Sequence, residues 1–310
     1  MITLRQHPTE GPRGMAQRRR RLGRRYMGML FVIPSALILL VVVVAPILSS
    51  FGISFTNYSI LGGDDWEGTK NYQQLFSDPT FAQALEHTAI YTFVAVPVQT
   101  ILALVLAEVI AKRYRNRWGA FVRSVLFIPV IASLVISGVV WRALFDTDHG
   151  AINAVLALIG VPGPDWFGEP NTALIAVIIV TVWKNTGFFL IIYYAGIMNV
   201  PVELYEASAL DGAGPIKQLI HITIPQLNRV TALVVILGTI WSFQVFDLVY
   251  TLTGGGPGGA TTTLVMAIYN AAFQNFNMGY ASAMAMVLLL IVLVLSIIQR
   301  RVLRERKELQ

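Results

Sequence analysis

PVELYEASALDGAGPIKQLIHITIP, residues 201–225, is a polar, helix-forming stretch set between two apolar runs, each long enough to cross a bilayer. Pro201 suits the first turn of a helix, and Glu203 and Glu206 fall in its early turns, where the positive end of the helix dipole favours acid. The pattern predicts a short helix to about Asp211, stopped by Gly212 in a left-handed conformation. Gly214 and Pro215 open a second helix over 215–222, and Ile224-Pro225 closes it before the chain turns apolar again. The two pieces read as a bracket lying along a membrane surface. Ala207, Ser208 and Ala209 keep the first helix thin, so that a partner's groove can approach its backbone. The competing reading is an amphipathic helix resting on lipid headgroups, but the stretch has no basic face and no large aromatic beyond Tyr205.

The sequence on either side settles the class. Of 310 residues, 55% are hydrophobic and 13% charged, with a mean hydropathy of +0.63. Soluble domains carry about a quarter charged residues, and here the apolar residues gather in uncharged runs of spanning length. This is an integral membrane protein. It has no cysteine, which excludes disulfides, thiolate metal sites and a cysteine nucleophile. The four histidines (His7, His87, His149, His221) are scattered, so no metal site is expected. The net charge of +6 does not indicate nucleic acid, because the basic residues cluster at the ends of the apolar runs.

Six spans are expected in an all-α fold, at about 27–51, 88–111, 123–142, 172–197, 230–252 and 280–299. The first is read as a retained span, because it is too long for the apolar core of a signal peptide. Pro97 and Pro129 lie inside the second and third spans, where neighbouring helices or water can satisfy the freed carbonyls. The GGGPGG run at 254–259 breaks the long uncharged stretch after Asp247, and 260–276 is read as a non-spanning segment. Six spans put both termini on one side together with the 200–226 loop, and 20 of the 23 lysines and arginines fall on that side. The positive-inside rule makes it the cytoplasm. The expected organisation is a basic tail over 1–26, a membrane domain over 27–299 and a second basic tail over 300–310.

Glu206-Ala207-Ser208, Gly212, Ile222 and Ile224-Pro225 together resemble the EAA signature, EAA-x3-G-x9-I-x-L-P, of permease subunits of bacterial ATP-binding-cassette (ABC) importers. Ser208 replaces the third-position alanine and Ile224 the leucine. Asp211-Gly212-Ala213 is similar to the DGA variant of the carbohydrate branch, maltose and glycerol-3-phosphate types included. So are Phe246-Asp247, Tyr250, the run from Thr253 to Pro257 and Gly279 to Ala283. The resemblance implies that the loop is the coupling helix, docking Glu206, Ala207, Ser208, Asp211, Gly212, Ala213, Ile222 and Pro225 against an ATPase subunit. The chain carries no G-x-x-x-x-G-K-[ST] phosphate loop, so ATP and magnesium belong to separate ATPase subunits and this chain binds no cofactor. The resemblance also implies a second, homologous permease, two ATPase subunits, an extracytoplasmic solute-binding protein and a bacterial plasma membrane. It implies no enzymatic activity in this chain and no nucleic-acid partner.

Lys184 lies about a dozen residues from either end of the fourth span. An ionisable group at that depth faces a bundle interior or a watery path. It is read either as a pathway group or as a structural cation paired with Asp247 or with helix-terminal carbonyls. By the resemblance to maltose-type permeases, Lys184, Asn185 and Phe188 align with sugar-contacting positions, as do Trp241 and Ser242, with Gln244 and Val245 nearby. Trp241 offers a face to a sugar ring, and Ser242, Gln244 and Asn185 offer partners to hydroxyls. The alternative is helix packing for Trp241 and an interhelical hydroxyl for Ser242. Asp247 is expected to hold the outer end of the fifth span, and Gly255 and Pro257 to form an outer loop or gate near the binding protein. A phosphorylated polyol is the alternative cargo, which Lys184 would suit. An ion-driven secondary transporter would need buried carboxylates and an inverted repeat, and neither is evident.

Overall fold

The computed structural model describes residues 32–114 and 116–305, without the side chains of 304 and 305. The expected tail at 1–26, the last five residues of the tail expected at 300–310, and the start of the first span at 27–31 lie outside these residues. The chain divides into two units, one ending at Ile53 and one beginning at Ser54. The first contributes α1, Val32–Ile53, an apolar helix with a π-helical stretch at Leu40–Val44. At 1.5 Å per residue it is about 33 Å long, enough to cross hydrocarbon.

Among the described residues of the second unit the regular elements are all helices, joined by loops and turns, with isolated bridges at Thr56–Trp66 and Ser59–Asn277. A short helix, α2 (Lys70–Ser77), precedes the longest, α3 (Pro79–Arg113). Asp78 caps α3 by accepting the Thr80 amide at 2.8 Å, with Pro79 in the first turn. Next come α4 (Arg117–Ile131), α5 (Leu134–Leu144), α6 (Ala151–Leu158) and α7 (Pro170–Ile197). The loop supplies α8 (Val202–Leu210) and α9 (Pro215–Gln226), followed by α10 (Asn228–Phe243), α11 (Asp247–Leu252), α12 (Leu264–Gln274) and α13 (Met278–Glu305).

Among the described residues, α1, α3, α7 and α13 are each long and apolar enough to span a membrane. Two bent pairs, α4–α5 at 100° and α9–α10 at 74°, bring the number to six. The core runs along α3 and α7. Ala95, Ala103, Ala107 and Ala111 of α3 are buried with Ala176, Val177, Phe189, Leu190 and Tyr193 of α7. Small residues let the two backbones approach where burial of apolar surface gives no drive within lipid. Gly187 does the same for α4, since a β-carbon there would fall on the Leu126 carbonyl.

Two spans depart from the expected form. The third is not one helix with an internal proline. It breaks at Ala132-Ser133, both extended with ψ of 140°. Pro129 removes a donor from the last turn of α4, and Lys184 draws off the carbonyls that would have continued it. The fifth is not continuous over 230–252: α10 ends at Phe243 and Asp247 begins the separate helix α11. Here the Thr263 hydroxyl donates to the Val245 carbonyl at 3.0 Å, satisfying an acceptor freed by the break.

Candidate functional site

Both breaks face one cavity of about 440 Å³, within the range of small-molecule sites. Lys184, Asn185, Phe188, Trp241, Ser242, Gln244 and Val245 all line it, brought together from α7 and from the end of α10. Asp247 lines it too, as the exposed first residue of α11 rather than the outer end of the fifth span.

The cavity has one aromatic wall. Trp241 stacks on Phe189 with ring centres 5.5 Å apart and tilts against Phe188 at 5.1 Å. Phe189 is fully buried, while Trp241 keeps 38% of its surface accessible, so packing fixes one side of the indole and leaves a face open. Opposite chemistry comes from hydroxyls and amides. Tyr91 and Thr181 meet at 2.7 Å, and because Thr181 donates to the Val177 carbonyl, the tyrosine is the donor between them. Asn185 donates to Gln99 at 3.2 Å, and the Ser242 hydroxyl is buried without a hydrogen-bond partner. Tyr91 and Thr181 are lining residues that the sequence reading did not single out, and Phe246, named there only for its resemblance, lines the cavity too. Tyr91 and Thr181 sit in uncharged helix interiors where nothing in their neighbours marks them.

Lys184 makes no ion pair with Asp247. Its ammonium donates to the Pro129 carbonyl at 2.9 Å and the Ala132 carbonyl at 2.5 Å, at the C-terminal, negative end of α4. Gly255 and Pro257 lie away from this cavity, in a turn knotted by threonines. Thr261 donates to the Gly256 carbonyl at 2.8 Å, and Thr262 to that of Gly255 at 3.2 Å.

The 201–225 loop forms the two helices expected. Pro201 is the residue before α8 rather than inside its first turn. Gly212 has φ +77°, and the amides of Ala213 and Gly212 reach back to the carbonyls of Ser208 and Ala209 at 2.9 and 3.0 Å. This pair of bonds is the Schellman stop, which needs a left-handed residue at Gly212. Glu206 and Ala207 are exposed on α8, Asp211 and Ala213 sit in the turn, and Ile222 and Pro225 are half-buried on α9. Ser208 bonds the Tyr205 carbonyl at 2.9 Å and accepts from Gln218 at 3.0 Å, so its hydroxyl ties α8 to α9.

The end of α3 reaches into this bracket, which the sequence reading did not anticipate. Glu108 pairs with Lys112 at 2.6 Å and accepts from the Thr223 hydroxyl at 3.2 Å. Lys112 also donates to Gln218 at 3.2 Å and lies 4.7 Å above the Tyr205 ring. The Tyr205 hydroxyl is 3.0 Å from Thr223. Burial raises the Tyr205 pKa and the Glu108 charge adds to the rise, against the Thr223 bond. Among the described residues no group of three or more histidines and carboxylates is placed to hold a metal ion.

Comparison with known proteins is consistent across sequence and fold. Residues 13–308 match the family described as binding-protein-dependent transport system inner membrane component. A trehalose/maltose transport system permease protein, MalF, of Thermococcus litoralis is 34% identical over 91% of this chain and 95% of its own. A sulfoquinovosyl glycerol transport system permease protein, SmoG, of Agrobacterium fabrum is 33% identical over 91% and 92%. Among solved structures, a chain of a bacterial ABC transporter involved in import of the acidic polysaccharide alginate superimposes with a TM-score of 0.82. That match has 20% identity and covers 94% of this chain and 99% of the other, which establishes a shared fold.

Proposed function

Because the chain belongs to the family of binding-protein-dependent transport system inner membrane components, we propose that it is the membrane-spanning permease subunit of a carbohydrate importer, driven by ATP hydrolysis on separate subunits. The relatives named as sugar permeases support this reading. The observation that carries it is the cavity, where a fixed indole faces hydroxyl and amide groups. An apolar ring face and a few placed hydrogen-bonding groups are what a saccharide's C–H face and hydroxyls require.

The cavity favours a neutral saccharide over a phosphorylated polyol. Two of the three Lys184 N–H bonds are held by backbone carbonyls, and the exposed Asp247 carboxylate shares the wall. A dianionic phosphate would meet one remaining donor and a like charge. Partner subunits follow from the same reading: a second permease completing the path, two ATPase subunits and an extracytoplasmic binding protein delivering the solute. The 201–225 loop then lies on the cytoplasmic side as the docking element for the ATPase. Leu210, 90% exposed, and Ile216, 71% exposed, give it an apolar surface beside Glu206 and Asp211, as a docking face requires.

The test is reconstitution of the whole importer in liposomes with its binding protein, measuring ATP-dependent uptake of labelled neutral sugars against glycerol-3-phosphate. Uptake of the sugar alone is expected. Uptake that persists without any ATPase subunit would overturn the reading.

A further inference from the structure

The bracket is joined to the bundle in two ways. One is covalent, at both ends, through residues 198–201 from α7 and through Leu227 into α10 across the 74° bend. The other is the polar cluster at the end of α3, and it joins three segments at once: Glu108 and Lys112 of α3, Tyr205 and Ser208 of α8, and Gln218 and Thr223 of α9. At that bend the axis of α9 is turned away from that of α10. The cluster is different in kind. Glu108 is 7% exposed and Thr223 fully buried, and the second Glu108 oxygen is buried with no hydrogen-bond partner. A carboxylate so enclosed is held by Lys112 and Thr223, and separating α9 from α3 would strand it without its hydroxyl partner. The cluster therefore favours staying closed while its elements move.

We propose that Glu108 is a positioning residue that locks the 201–225 bracket to α3, so that bracket and helix move as one body and α3 carries the displacement to the cavity. This rests on the docking role given to the loop above. Gln99, which holds Asn185, lies nine residues earlier on α3, about 13 Å from Glu108 along a straight helix, and Tyr91 is two turns further on. Movement of the bracket then reaches Gln99, which lies on the bracket side of Pro97, along a continuous helix packed on α7, without passing through the break between α10 and α11.

The chain has no cysteine, which makes a direct test available. In the complete reconstituted importer, Glu108→Cys with Thr223→Cys removes the lock when reduced and restores it covalently when bridged by a short bifunctional thiol reagent. The reduced form is expected to hydrolyse ATP but to move at least tenfold less solute per ATP, and bridging is expected to return transport to within about threefold of the unaltered importer. Wild-type transport by the reduced form, or a bridged form that stalls, overturns the proposal. Thr223→Val, which keeps the Glu108–Lys112 pair, guards against a fold defect: the lost hydrogen bond lowers the melting temperature modestly, the complex still assembles and hydrolyses ATP, and solute moved per ATP should fall several-fold. An unchanged ratio here also overturns the proposal. Gly212→Val, run alongside, separates the two readings. If it uncouples transport and the cysteine pair does not, the lock alone is wrong; if neither does, the docking role fails.

Discussion

The Lys184 ammonium of α7 lies 2.9 Å from the Pro129 carbonyl of α4, and this bond holds open the break in the third span. The cation serves two purposes with one geometry, because the carbonyls it occupies belong to the helix end that borders the cavity. Lys184→Met keeps length and apolar bulk but leaves the Pro129 and Ala132 carbonyls without this donor. A loss of about 2–3 kcal/mol is expected, two charge-assisted bonds discounted for partners found within lipid. Thermal melting of the purified complex reads it. A cation that served only the solute would leave the melting curve in place.

Trp241 is predicted to dominate solute recognition on this chain. Packing on Phe189 already fixes its orientation, so a sugar ring meets a surface that costs little entropy to use. Trp241→Ala should raise the half-saturating concentration of the delivered solute about tenfold, or about 1.4 kcal/mol. Trp241→Phe, which keeps a ring over Phe189, should recover most of it. Equal losses in the two variants would show that a ring face over Phe189 is not what the solute uses, and would sink the stacking assignment.

Asp78 clamps the start of α3 to α13, accepting the Tyr280 hydroxyl at 2.6 Å and the Thr80 amide at 2.8 Å. Burial alone would raise its pKa, but the Tyr280 and Thr80 bonds outweigh it and hold the carboxyl below its ordinary value. A lowered folded-state value means stability that is present above the unfolded pKa and is lost as pH falls through the folded one. Asp78→Ala should cost about 2–3 kcal/mol by loss of the cap and the Tyr280 partner. The melting difference from wild type should stay flat from about pH 8 to 5 and close only in acid below the ordinary carboxylate range. A difference that changes near neutrality would contradict this assignment.

Much of this was legible before folding, and the reason differs by element. Uncharged runs and the bias of arginine and lysine mark the spans, since lipid and orientation act on composition. The positive φ of Gly212 was readable because the stop of a short helix is a local matter. Lys184 stood out as an ionisable group deep in a span, and the six further pathway candidates that line the cavity were named through a resemblance. Both helix breaks escaped notice: apolar residues run on past Ala132, and the polar residues beside Val245 read as pathway groups on a continuous span. What breaks the helices there is Lys184, 52 residues from Ala132, and Thr263, 18 residues from Val245. The Glu108–Thr223 contact joins residues 115 apart, and no local pattern announces it.

Ser208, where the EAA pattern has alanine, is predicted to be a gain rather than a tolerated change. Its hydroxyl accepts from Gln218 and so adds a tie between α8 and α9. Ser208→Ala removes about 0.5–1 kcal/mol from that junction. Amide exchange over 216–218 should quicken about two- to fivefold by the same energy. Unaltered exchange there would mean that the Gln218–Tyr205 carbonyl bond suffices by itself.

Gly212 is the position where geometry and drive are most closely joined. At φ +77° a side chain is unfavourable by about 1–2 kcal/mol, and a β-branched one by more. Space is not the obstacle, because a β-carbon there would meet no heavy atom within 4 Å. The cost therefore falls on the backbone of the Schellman turn, which aims α8 relative to α9. Gly212→Val should leave the complex assembled and hydrolysing ATP while solute moved per ATP falls at least tenfold. Gly212→Asn, tolerant of the left-handed region, should fall only slightly. If valine and asparagine behave alike, the left-handed turn has no part in coupling, and contact by the loop's side chains must carry it instead.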